Sequence, residues 1–573
     1  MKRLLLLVLC IVPFLMSLAL VRLLSAAGGE PHNTTAKVEP ITVCTLGCDY
    51  DALQPAVNAA TPGASIVIAA GNYSGVTIVD RSLTIAGAGA LSTTLDGVGK
   101  GRVLEIQATT AVTVSHLTIS DGLPVAADDL AHGGGILNLG SLRLVSVTLL
   151  NNAVRASIQA QVTADAPVHG RGGGIYNGCL DGQCGRLVVV DSSFIGNDGA
   201  GSQVSGTVAG GDAFGGALYN ACDAIAGASA ELIGAEFRDN WIRGGYDQDF
   251  VYGSGPGRGY GGAIYNDCGP TVCGQIDISD SMFAGNLALG VTSCYPTEGY
   301  GGAIFNDGRL SLDRVTLAHN VANSGGDPCF PYYYGNSAGG AIFNSGRLTI
   351  TATTMFANRT DSAGGALYLA GGHTVLINST LSGNAAYSGV GGGIYSGGTL
   401  LADYVTIVDN EAGNGNPRVW GRGGGIYSEG AGTQLSNSIL ADNIAPAFWD
   451  REQSSDCYGP LTSLGYNLVS DDSNCALIGD TTGNLLNQPA HLGPLADNGG
   501  PTMTHGPLFY SPVLNTADPK NCPAADQRGA PRPAAGIDRC DIGAYEGVLL
   551  APHVNYFTLV SRQSQIAFHG RTP

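Results

Sequence analysis

Carboxylates dominate the residues able to do chemistry: the 573-residue chain carries 46 Asp and Glu against 27 Lys and Arg and 10 His. Glycoside hydrolysis needs two carboxylates roughly 5 to 9.5 Å apart on one face, an acid for the leaving oxygen and a nucleophile or base. No such pair is found in register; Asp191 and Asp280 share a repeat position but fall two repeats apart. A polysaccharide lyase needs a base that accepts a proton near neutral pH, commonly beside calcium-binding carboxylates. Lysine occurs only at positions 2, 37, 100 and 520, and the Asp pairs at 128–129 and 471–472 read as solvated loop residues. His132 and His169 precede glycine turns with no acid partner in the pattern. No CxxC pair offers a zinc site. Catalysis by a glycoside hydrolase or polysaccharide lyase is therefore the lesser expectation, no cofactor is expected, and calcium stays open as a partner.

What would position any site is a repeat. A glycine pair and an aliphatic anchor recur at Ile136, Ile175, Leu218, Ile264, Ile304, Ile342, Leu367, Ile394 and Ile426. Each is followed by an apolar residue three before an asparagine: Asn152, Asn197, Asn240, Asn286, Asn320, Asn358, Asn384, Asn410 and Asn443. Between the two lies an alternating run such as "RLSLDRVTL", the period of a half-buried strand. Short strands, glycine turns and a shortest period of 25 residues describe coils of a parallel β-helix. The expected fold is all-β, a right-handed parallel β-helix solenoid of the pectate-lyase-like kind, over residues 64–456. Inward Ile, Leu and Phe should form columns and the asparagines an amide ladder. In "DYDALQPAVNAAT", Leu53, Ala56, Val57 and Ala60 share a helical face, so residues 28–63 should supply a helix that caps the open end.

The N-terminus, "MKR" and then "LLLLVLCIVPFLMSLALVRLL", reads as an export signal over residues 1–27, with Ser25 and Ala27 before the cut. Arg22 and the small residues after it favour cleavage over a retained membrane anchor. The formal net charge of −19 repels phosphate backbones, so nucleic acid is excluded as a partner. Oligomeric state is not legible.

The paired "GGAI" and "FxxN" signatures over 133–443 resemble those of polymorphic outer membrane proteins, a family of surface adhesins; the C-terminal barrel of that family is not matched here. "LGPLADNGGPTMTH" (492–505), "SPVLNTA", "DQRGAPRP" and "CDIGAYE" (540–546) closely resemble the choice-of-anchor Q domain. That resemblance implies a small C-terminal domain over 457–546, then a tail at 547–573, on a secreted or cell-surface protein.

Of the 14 cysteines, Cys10 lies in the export signal; export makes disulfides the default for the other 13. Expected pairs are Cys44–Cys48, Cys294–Cys329, Cys457–Cys475 and Cys522–Cys540. Cys179, Cys222 and Cys268 should stack on successive coils, with Cys184 and Cys273 as two partners and one thiol left over.

Two aromatic sets are candidate ligand contacts. The residue after each anchor gives a column: Tyr176, Tyr219, Tyr265, Phe305, Phe343, Tyr368, Tyr395 and Tyr427. It is either an exposed strip for sugar rings or, the favoured reading, a stabilising ladder beneath the loops. Long excursions crowd one corner of the earlier coils and bring Tyr246, Tyr252, Tyr260, Tyr295, Tyr300, Tyr332, Tyr333 and Tyr334. Loops on a rigid solenoid commonly carry function. The expected function is a non-catalytic adhesin or carbohydrate-binding protein, its partner a polysaccharide or another cell-surface ligand.

Overall fold

A computed structural model of the chain describes residues 39–126, 132–156, 168–180, 182–202, 210–245, 256–291, 297–325, 336–413, 421–446 and 456–547. The export signal and the C-terminal tail fall outside these residues, as do both members of the Cys294–Cys329 pair.

One coil shows how the sequence builds the whole. After Gly261 and Gly262, the strand Ile264–Asn266 lies on a first face, Gln275–Ser279 on a second, and Met282–Ala284 on a third. The short strand Leu287–Leu289 then forms a corner. Every step pairs in parallel with the next coil, Ile264 opposite Ile304, Ile278 opposite Leu312, and Phe283 opposite Leu317. The glycine pair is required by geometry: Gly261 sits at φ +68°, and a Cβ on Gly262 would come 2.1 Å from the Gly302 carbonyl oxygen. The fold is a parallel β-helix.

Anchors and apolar residues point inward and are fully buried, as at Ile264, Ile276 and Phe283. Phe194, Phe237 and Phe283 stack along the axis with centroids 4.4 and 4.6 Å apart. The asparagine column forms as expected from Asn152 to Asn443. In each step one Oδ1 accepts two bonds from the preceding coil; Asn240 Oδ1 takes Asn197 N at 3.0 Å and Asn197 Nδ2 at 2.9 Å. The spare Nδ2 proton goes to a strand carbonyl, Phe194 in the case of Asn240. At the far end Asp456 Oδ1 replaces the next amide, accepting from Asn443 Nδ2 at 2.9 Å. A second amide ladder, missed in the sequence, runs Asn138, Asn177, Asn220, Asn266, Asn306, Asn344 with steps of 2.7 to 2.9 Å.

The coils extend beyond the expected span at both ends. Strand Ile41–Val43 pairs with Ser65–Ile68, and the helix Leu53–Ala59 buries Leu53, Ala56 and Val57 against the same core. At the other end Cys457–Leu464, Leu468–Val469, Cys475–Asp480 and Leu485–Leu486 continue the first, second and third faces. The last coils therefore lie inside the 457–546 region.

The rest of that region folds back along the outside of the third face. Its hairpin, Leu492–Ala496 with Thr504–Pro507, meets the outward threonines and serines of earlier strands. Gln527, 1 % exposed, donates to Thr354 Oγ1 at 2.7 Å and accepts from Thr380 Oγ1 at 2.6 Å. His505 bonds Ser382 Oγ through Nε2 at 2.9 Å, and Tyr404 donates to the Asn521 carbonyl at 2.7 Å. The "DQRGAPRP" and "CDIGAYE" residues close this strap on itself. Arg528 joins Asp526 to the Glu546 carbonyl, each at 2.7 Å, while Glu546 accepts the amides of Ala534 and Asp541 at 3.0 Å. Arg532, buried over the Tyr404 ring, donates to the Gly543 carbonyl at 2.7 Å.

Cystines join Cys44–Cys48, Cys179–Cys184, Cys268–Cys273, Cys457–Cys475 and Cys522–Cys540. Five cystines among the described residues are the mark of folding in an oxidising compartment.

Candidate functional site

The residue after each anchor alternates outward, so the first face carries one continuous row: Tyr176, Tyr219, Tyr265, Phe305, Phe343, Tyr368, Tyr395, Tyr427 and, one coil further, Tyr458. Neighbouring rings are near parallel, with centroids 4.3 to 5.5 Å apart. Each ring face is thus largely occupied by the next ring. The row cannot offer the flat faces expected of a sugar-stacking strip; it offers ring edges and hydroxyl groups.

A second row decides how much of the first is open. It is built by the residue preceding each glycine pair: His132, Arg171, Phe214, Tyr260, Tyr300, Ala338, Ala363, Val390 and Arg422. Over the middle coils Phe214, Tyr260 and Tyr300 pack edge-on against the first row, for example Tyr260 on Phe305 at 5.1 Å. There Tyr219, Tyr265 and Phe305 are only 6 to 8 % exposed. Tyr260 and Tyr300, candidate ligand contacts in the sequence, form part of this cover and are themselves half-exposed; Tyr246, Tyr252, Tyr295 and Tyr332 to Tyr334 lie outside the described residues. From Ala338 to Val390 the cover shrinks to small side chains, and Phe343, Tyr368, Tyr395 and Tyr427 become half-exposed. Arg422 ends the open stretch, with its guanidinium 4.8 Å from the Tyr458 ring centre.

Buried phenols need partners, and this row finds them one coil ahead. Tyr219 donates to Asp267 at 2.7 Å and Tyr265 to Asp307 at 3.2 Å. In the open stretch the Tyr395 hydroxyl is shared between Glu429 and the Tyr368 hydroxyl. Glu429 is itself exposed. Burial holds the Tyr395 phenol well above its ordinary range, helped by its bond to Glu429, so it stays protonated and able to donate.

The same geometry corrects the expectation that no carboxylates stand in register. Asn266 pairs with Asn306, so Asp267 and Asp307 occupy one position in adjacent coils, about one strand spacing of ~4.8 Å apart. Asp307 also accepts from Ser345. Burial pushes the Asp267 carboxyl up, its Tyr219 bond pulls it down, and Asp307 pushes it up again. Asp409 and Asp442 form a second pair, each following aligned strand residues Val408 and Ala441. The signal for both pairs in the sequence is the column of residues that directly follow each aligned strand. Glu429, two residues after Tyr427, directly follows its strand in the same way.

No family model matches the chain, and no curated protein matches it. Solved structures that it resembles include Geobacillus virus E2 ORF18, at 12% identity and TM-score 0.29, over 69% of this chain and 60% of that one. Another is the PL6 family polysaccharide lyase from Pseudopedobacter saltans, at 12% identity and TM-score 0.33, over 76% and 91%. A third is bacteriophage CBA120 tailspike protein 3, at 12% identity and TM-score 0.28, over 76% and 57%. The chain spans 60% of the length of the Geobacillus virus protein. Superpositions this loose leave the fold resting on the strand registers described above.

Proposed function

We propose that the protein is a secreted or cell-surface carbohydrate-binding protein that works without catalysis and lays a polysaccharide along the open stretch of the tyrosine row. The observation that carries this reading is the loss of the covering aromatics from Ala338 to Val390, which exposes ring edges over three successive coils, those of Tyr368 and Tyr395 bearing hydroxyls. Phenol hydroxyls, the Glu429 carboxylate and the Arg422 guanidinium are the polar groups that fix a sugar's hydroxyls, and the aromatic edges supply the apolar part of the contact. The coil repeat of ~4.8 Å is close to the length of one pyranose unit. A chain with net charge −19 and an acid in the row favours a neutral polysaccharide over an acidic one. Affinity electrophoresis of the purified protein in neutral and acidic polysaccharide gels tests this. Tyr368→Phe, Tyr395→Phe and Glu429→Gln combined should weaken retention by about tenfold or more, equivalent to the loss of one or two polar contacts. Retention equal to the parent would discard the site.

A second reading rests on Asp267 and Asp307. Adjacent carboxylates, one pushed up by burial, are the equipment of a glycoside hydrolase. New reducing ends released from a neutral polysaccharide, and lost in Asp267→Asn, would favour it over simple binding.

A further inference from the structure

Three consecutive coils carry a cysteine two residues after the second-ladder asparagine, Cys179, Cys222 and Cys268, and the asparagines themselves are in register. Each cysteine opens a small hairpin that returns five residues later at Cys184, Gly227 or Cys273, paired across an antiparallel bridge. The outer two hairpins are closed by cystines. The middle one is not: a Cβ at Gly227 would come 2.5 Å from the Cys273 carbonyl oxygen, so no second cysteine fits there. Cys222 is left as a half-buried thiol between two cystines.

The column has a direction. Cys179 Sγ faces the Ala221 and Ala226 carbonyls of the next coil at 3.9 and 3.8 Å. Cys222 Sγ likewise faces forward: it donates to the Val272 carbonyl and lies 3.3 Å from the Cβ position of Gly269. Both of those residues belong to the loop that Cys268–Cys273 closes. Cys222 and Cys268 stand one strand spacing apart, ~4.8 Å, inside the ~4.4–6.8 Å Cα range of a cystine.

We propose that Cys222 and the Cys268–Cys273 cystine form a thiol–disulfide exchange site that reversibly staples one coil to the next. The Cys222 thiolate attacks Cys268 Sγ; the Cys222–Cys268 bond forms as Cys268–Cys273 breaks, and the electron pair leaves on Cys273. The proton given up by Cys222 is returned by solvent to Cys273, so no oxidant or reductant is consumed. Burial, with the Asp267 and Asp223 carboxylates facing the thiol, holds Cys222 protonated, opposed by the amides of Gly269 and Gly274. The exchange is therefore slow at neutral pH and quickens as the thiolate forms.

The test holds the full-length protein without reductant at about pH 5 or about pH 10, the higher chosen because burial raises the Cys222 thiol above its ordinary value. Thiols are then trapped with a maleimide in acid and the cystines mapped by mass spectrometry. At the higher pH the alkylated fraction of Cys273 should rise severalfold, with a peptide joining Cys222 to Cys268 and with Cys179–Cys184 intact. Cys222→Ser should abolish both signals. Label confined to Cys222 at both pH values overturns the proposal, as does equal scrambling of Cys179–Cys184 or scrambling that persists in Cys222→Ser.

Discussion

Asn240 is fully buried, and its one amide serves four bonds: two accepted from Asn197, one donated to the Phe194 carbonyl and one to Asn286 Oδ1. Leucine keeps the branched outline and heavy-atom count, with bulkier methyls, and has none of these groups, so most of the cost of Asn240→Leu is the cost of leaving the partners unmet. Each buried orphan costs about 1–3 kcal/mol; with partial relaxation, a local loss of about 3 kcal/mol is expected. The effect should be confined to neighbouring coils, because each coil touches only those beside it. Hydrogen exchange checks this: the Asn197 amide should exchange at least 100-fold faster, while that of Asn384, several coils away, should be unchanged. The fixed distance from apolar residue to asparagine made this ladder legible in the sequence. The second ladder was visible in the repeated "IYN" and "IFN" endings. There the aromatic between anchor and asparagine is the stronger chemical signal, and it masks the amide beside it.

At the scale of elements, the strap at 490–547 is held by side chains rather than by strand pairing to the coils. Gln527 is its central peg, bonded to Thr354, Thr380 and Thr502. Gln527→Leu should loosen the strap without unwinding the coils. The expected readouts are faster proteolysis between 497 and 530, by about tenfold, and unchanged protection of the third-face amides. Equal loss of protection in both would mean that strap and coils unfold as one. The coils were readable because their spacing repeats; the strap's placement was not. Its motif residues announced that something specific happens, but their partners lie some 150 positions earlier in the chain, as for Thr502 with the Ala352 carbonyl, and no periodicity links them. The open stretch of the tyrosine row was readable in principle. The residue before each glycine pair changes from Tyr300 to Ala338, and that single position decides whether the row is covered.

For the molecule as a whole, burial acts on its acids in one direction. Among the described residues, Asp239, Asp267, Asp361, Asp403, Asp409, Asp456 and Asp541 are all pushed up chiefly by burial. The acids held low, Asp49, Asp80, Asp223, Asp280 and Asp480, owe it to hydrogen bonds at the surface. Asp541, beside Glu546, is pushed up to about 7. Between the unfolded value of 3.8 and that pKa the folded chain holds an extra proton, so stability falls as pH rises through this window. Thermal unfolding should therefore show greater stability near pH 5 than near pH 8, the reverse of ordinary acid denaturation. Asp541→Asn should flatten part of that slope; a midpoint that rises from about pH 5 to about pH 8 would contradict the assignment. The strap also makes the molecule a ruler. An amide ladder is indifferent to how many rungs it has, so a whole coil upstream of Ala352 could be added or removed with every remaining step intact. From Ala352 to Asn437 that freedom ends: the pegs Thr502, Gln527, His505, Asn521 and Gly543 engage successive coils at set intervals. A change in coil number that spares the pegs must therefore fall at one end of the solenoid, and the open tyrosine stretch keeps a constant distance from the strap however long the rest becomes.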